Sequence, residues 1–114
     1  MKNSRIVYRD YNLLESIQTS HKTGEKRVLL SNTETHSSIT QIAITRLFAG
    51  ERVKKHVHLT MDEHYIVLSG KGSMQLDNET YDFIPGKFIL VPAGCYHDLS
   101  ASSDLEFITI GVDL

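Results

Sequence analysis

The sequence predicts an all-β domain, a sandwich or barrel of short strands. Three observations predict it. β-branched and aromatic runs recur at short intervals from Ile39 onward. Turn formers separate them, at Ala49-Gly50, Ser69-Gly70, Asp77-Asn78, Pro85-Gly86 and Pro92-Ala93-Gly94. No stretch carries the 3.6-residue apolar period of an amphipathic helix of useful length.

Taken in order, the first 37 residues carry the weakest pattern. Arg5–Tyr11 and Arg27–Ser31 read as strands, Asn12–Ile17 as a turn of helix, and His21–Lys26 as a polar loop. Residues 1–37 are therefore expected to form a short N-terminal arm, and residues 38–114 the β-barrel domain. Ile39–Phe48 is the first long run. If Leu47 faces inward ahead of the Gly50 turn, then Thr45, Ala43 and Gln41 face inward too, because side chains alternate along a strand. Val53–Leu59 and Tyr65–Leu68 follow, and Ser73–Leu76 and Thr80–Phe83 flank the Asp77-Asn78 turn. Phe88–Val91 and Leu105–Val112 complete the set.

Tyr65–Leu68 and Phe88–Val91 are apolar on both parities, which implies cover on both faces of the sheet. In a chain of 114 residues that cover is the arm or a second copy, so a homodimer through a sheet face is expected.

Composition excludes several classes. The chain is 40% hydrophobic and 23% charged, as in an ordinary globular domain. A formal charge of −2, with only the doublets Lys26-Arg27 and Lys54-Lys55, offers no basic footprint, so no nucleic acid partner is expected. No window approaches the ~18 apolar residues of a membrane span, so no membrane partner is expected either. The single cysteine, Cys95, and the lack of a signal-like apolar start lead to a cytoplasmic expectation.

The chemistry concentrates in His56–Gly70, H-V-H-L-T-M-D-E-H-Y-I-V-L-S-G. His56 and His58 are two residues apart, so on a strand they share a side, roughly 7 Å apart along the chain, and can converge on one ion. Glu63 has the wrong parity for an unbroken strand, and a turn through Leu59–Asp62 would let it face inward on the next one. Tyr65 and Val67 then share its side, while His64, Ile66 and Leu68 point away. Asp62 is an alternative carboxylate. A further ligand must come from elsewhere, and His97, after the Pro92-Ala93-Gly94 turn, is the candidate. Tyr65 is a packed residue or a substrate contact; Gln41 and Thr45 place polar groups on the barrel floor, for substrate or for structure. His21 and His36 read as solvated loop residues, and Cys95 as a small inert hydrophobe.

Gly50–Gly70 resembles the first cupin motif: Gly, five residues, His-x-His, four, Glu, six, Gly. Gly86–His97 resembles the second: Gly, five residues, Pro-x-Gly, two, His. Two positions depart from the family pattern. Ala101 stands where the second motif usually has Asn, and Lys87 where an Asp often follows its first Gly. The resemblance implies a jelly-roll β-barrel, also called a double-stranded β-helix. It also implies a divalent metal ion held by His56, His58, Glu63 and His97. Three imidazoles and a carboxylate suit Mn, Fe, Zn or Ni, as well as Cu. The activity it implies is that of a metal-dependent enzyme on a small-molecule ligand. A redox-neutral isomerase, epimerase or lyase is preferred, as for a sugar or keto acid. The alternatives are an Fe(II) dioxygenase and a non-catalytic sensing module.

Overall fold

The computed structural model describes residues 6–114. Ten strands run β1 Ile17–Gln18, β2 Glu25–Ser31, β3 Ile39–Leu47, β4 Arg52–His56, β5 Met61–Ser69, β6 Gly72–Leu76, β7 Glu79–Phe83, β8 Phe88–Val91, β9 His97–Ala101 and β10 Leu105–Asp113. They form a six-stranded sheet in the order β1-β2-β3-β10-β5-β8 and a four-stranded sheet in the order β4-β9-β6-β7. The strand pairs are antiparallel. This is the mostly-β fold that the strand pattern predicts, in the jelly-roll arrangement that the motif resemblance implies, with the core between the two sheets.

Alternation decides the core. On β5, Tyr65 and Val67 are buried while Ile66 and Leu68 are exposed. On β3, Ala43, Thr45 and Leu47 face inward and are buried. Phe83, Phe107 and Tyr65 meet in the centre, Phe83 against Phe107 edge-on with ring centroids 5.2 Å apart. Such tilted pairs add stability beyond the area they bury. The β6–β7 hairpin turns on Asp77-Asn78 alone, with Leu76 opposite Glu79 and Asp77 at φ 52°. Gly70 closes β5 at φ 89°, where an added Cβ would lie 2.0 Å from the Asp104 carbonyl oxygen. Only glycine fits there.

Four sequence expectations are corrected. Of the Arg5–Tyr11 run, Arg5 lies outside the described residues; 6–10 form no strand, and Ile6 and Tyr8 are exposed without a sheet to join. The helical turn spans Tyr11–Leu13, capped by the Asp10 carboxylate on the Asn12 N–H (3.0 Å), rather than Asn12–Ile17. The strand expected to reach Leu59 ends at His56, where pairing with β9 is already shifted by a bulge between Val53 and His56. β9, His97–Ala101, is a strand where the sequence pattern predicts none. The arm is anchored by Arg9, which donates to the Leu29 carbonyl (2.6 Å) and pairs with Glu34 (2.5 Å). That guanidinium, with the Ser31 N–H, holds the Glu34 carboxyl down at about 2.

Candidate metal centre

His56 closes β4 and His97 opens β9, and the two are direct partners across that ladder. Cross-strand partners on one face lie side by side, and the rings are 4.1 Å apart by their centroids. Glu63 comes from the opposite sheet, third residue of β5 and in register with Gly111 and Val91. His58 lies beyond the end of β4, in the 57–60 connection, so loop geometry rather than strand alternation brings it in. Its Nε2 is 3.6 Å from Glu63 Oε1, and that of His97 is 3.8 Å away.

One donor atom from each of His56, His58, Glu63 and His97 lies within 4.8 Å of the others. Donors around one ion at ~2.0–2.2 Å lie up to about 4.4 Å apart, so small adjustments of side chains would complete the cluster. The ring tautomers also fit. Nδ1 of His97 donates to the Cys95 carbonyl (3.1 Å) and Nδ1 of His56 to the Lys54 carbonyl (2.8 Å). A carbonyl only accepts, so the proton sits on Nδ1 and the Nε2 lone pair is left for an ion. Nε2 of His97 is buried with no hydrogen-bond partner among the described residues. A buried polar atom without a partner costs free energy, and an ion would satisfy it. The donor set therefore suits a metal ion.

Burial pushes Glu63 up, but His97, the Tyr65 hydroxyl and the nearby His58 outweigh it and leave the carboxyl below its ordinary value. Burial and the neighbouring imidazoles of His97, His21 and His58 leave His56 below its ordinary value, against the bond to the Lys54 carbonyl, which raises it. Tyr65 is buried, donates to Glu63, and is pushed well above the usual phenol range by burial and by that carboxylate. It stays a neutral donor.

The cluster opens into a cavity of about 230 Å³, lined also by Gln41, Thr45 and Tyr65. His64 points away, its Nδ1 bonded to the Ile110 carbonyl (3.1 Å). Asp62 is used otherwise, accepting the Ala93 N–H (2.8 Å) and so tying the turn before His97 to β5. A second stitch, from the Gly94 N–H to the His58 carbonyl (2.8 Å), joins the same turn to the loop that carries His58. Cys95 is raised by burial and by Asp77, which suits an unreactive thiol.

Among the lining residues that sequence reasoning missed are two that carry or can take up charge. His21, read as a solvated loop residue, is exposed at the cavity rim with its ring centroid 4.4 Å from that of His56. Lys26, placed in a loop, is on β2 and donates to Gln41 Oε1 (3.0 Å) inside the cavity.

The family model "Cupin domain" matches residues 43–111. A crystal structure of a predicted oxalate decarboxylase from Thermotoga maritima superposes at TM-score 0.84 with 23% identity, over 96% of this chain and 100% of that one. Ectoine synthase from P. lautus gives 0.83 at 19% identity, over 95% of this chain and 78% of that one. KdgF from Halomonas sp. gives 0.74 at 14%, over 90% and 92%. An uncharacterized protein of Methanocaldococcus jannaschii is 36% identical over 50 residues, which is 44% of this chain and spans 40% of that relative's length. At such identities the structural neighbours establish the fold and leave the reaction to the site itself.

Proposed function

The chain belongs to the cupin domain family, and from that premise we propose a metal-dependent enzyme acting on a small polar metabolite, with His56, His58, Glu63 and His97 as ligands of one divalent ion. The observation that carries this reading is the four-donor cluster opening into a polar-lined cavity. A bound ion would supply Lewis-acid stabilisation of negative charge on a substrate oxygen. Glu63, held ionised, acts as ligand, and Tyr65 orients it through its hydroxyl. The reading is redox-neutral chemistry, of isomerase or lyase type. Elemental analysis of purified protein tests it together with oxygen consumption under a panel of oxo acids and sugars. Stoichiometric manganese, zinc or nickel without oxygen uptake is the expected result. Iron with substrate-dependent oxygen uptake would move the assignment to a dioxygenase, and no metal after growth in replete medium would leave a binding module.

The partner we propose is a second copy of the chain on the outer face of the larger sheet. Two cross-strand rows run over that face, Arg27–Ile44–Ile108–Ile66–Phe88 and Leu30–Ile42–Ile110–His64–Leu90. Within one chain Ile66 and Phe88 remain 36% and 59% exposed. The same chain carries exposed apolar side chains on its arm at Ile6, Tyr8 and Leu13. A two-fold axis would let each arm and face meet its counterpart. Sedimentation equilibrium should return a dimer, and Phe88→Asp should weaken self-association by about a hundredfold or more, through lost burial and an unpaired charge. A monomeric wild type at tens of micromolar would discard the interface.

A further inference from the structure

We propose that Lys26 and Gln41 form a carboxylate-binding pole facing the His/Glu cluster, so that the ligand is a small carboxylate bearing a second oxygen donor, of the 2-oxo or hydroxy acid class. The far end of that ligand rests on the metal reading; the carboxylate end rests on Lys26, Gln41 and their neighbours alone.

Lys26 faces into the barrel from β2, in register with Thr45. It is half-buried and lines the cavity. Its ammonium donates to the Gln41 side-chain carbonyl at 3.0 Å, and among the described residues no carboxylate lies within 4.0 Å of it. A cation inside a barrel with only a neutral amide for company lacks a counter-charge. The pairing also fixes the amide: an ammonium cannot accept, so Gln41 turns its oxygen to Lys26 and keeps its NH₂ free. The result is an array of donors, joined by the hydroxyls of Thr45 and Thr109 in the same cavity. A donor-rich array beside an uncompensated positive charge selects an anionic acceptor.

Position supplies the second half. Gln41, Gly111 and Glu63 are consecutive partners across β3, β10 and β5. With strands ~4.8 Å apart, Gln41 and Glu63 stand about 10 Å apart at their backbones. The residue between them is Gly111, over which Thr40 Oγ1 and Met61 Sδ already pack, since an added Cβ would meet them at 2.2 and 2.7 Å. The room for a ligand is the cavity that Lys26, Gln41 and Glu63 all line. The charges of Lys26 and Glu63 cancel, so a divalent ion would leave the loaded cavity positive and in need of an anion. Carboxylate fits better than phosphate. No arginine is among the described lining residues, and phosphate dianions are usually met by arginine or by a helix N-terminus.

The test is calorimetry of pyruvate, 2-oxobutyrate, pyruvamide and inorganic phosphate against wild type, Lys26→Met and Lys26→Gln, each metal-loaded and metal-stripped, with metal content measured in parallel. An oxo acid should bind the wild type and bind either variant at least tenfold more weakly, with metal content unchanged and pyruvamide indifferent to the substitution. Gln41→Leu, which removes the orienting amide, should give the same weakening and decides the matter if both Lys26 variants fail to fold. Equal oxo-acid affinity in wild type and variants, phosphate binding tighter than either oxo acid, or no oxo-acid binding to the loaded wild type would each overturn the proposal while the metal reading stood. A wild type that takes up no metal would remove the metal reading instead. Lys26-dependent binding of an oxo acid to the stripped protein then supports the carboxylate pole, and its absence overturns it.

Discussion

His97→Ala should lose metal affinity by about a hundredfold or more, since removing even an outer hydrogen-bond partner of a ligand costs about 10–100-fold. His97 is the one ligand candidate that is fully buried, and its orphaned Nε2 points into the cluster. Metal-free stability should change far less, by about 1–2 kcal/mol, from the lost bond to the Cys95 carbonyl and the space the ring leaves. His64→Ala is the matched control, because that ring faces away from the cluster, and it should retain full metal content. Acidification should reproduce the loss. Only neutral imidazole ligates, so metal content should fall steeply between neutrality and pH 5. The sign comes from His56: its lowered value keeps the ring neutral further into acid than a free histidine, so retention persists at high pH and is lost as pH falls through that value. Equal metal in His97→Ala and wild type, or unchanged content at pH 5, would refute histidine ligation.

Phe83→Ala should be the most destabilising single substitution, by about 4 kcal/mol, because a fully buried ring is deleted and its neighbours collapse only in part. In a domain of this size that corresponds to a fall in Tm of roughly 15 °C. Phe83 touches Tyr65 and Phe107 edge-on, and it contributes no donor to the cluster. Metal content measured well below the new Tm should therefore match wild type. Thermal melts beside elemental analysis check both halves. Metal lost in step with stability would mean that the aromatic centre positions Glu63 through Tyr65 more tightly than the geometry implies.

These two substitutions divide along the line between what the sequence reveals and what it conceals. The cluster is legible because imidazoles and a carboxylate beside an apolar run have few stable explanations, and their spacing matches two motifs. The inward parity of Glu63, Tyr65 and Val67 is legible because alternation needs only a starting phase. β9 is not: in H-D-L-S-A the buried positions are His97, Leu99 and Ala101, and neither a histidine nor an alanine marks a strand by hydropathy. The early end of β4 depends on a bulge, which no residue type announces. Arg5–Tyr11 has a strand's composition, but its described residues 6–11 pair with no strand, and pairing rather than propensity decides. His21 and Lys26 are hidden because their proximity to the cluster arises from β2 pairing with β3, a contact between segments about twenty residues apart.

The two stitches from the Pro92-Ala93-Gly94 turn, to Asp62 and to the His58 carbonyl, have a kinetic meaning. They tie the segments carrying His58, Glu63 and His97 to one another, one through the Asp62 carboxylate and one through a backbone carbonyl, without using any of the ligand atoms. Binding of an ion there would then require little ordering of the polypeptide. Its rate would be set by how readily the incoming aquo ion sheds its water shell.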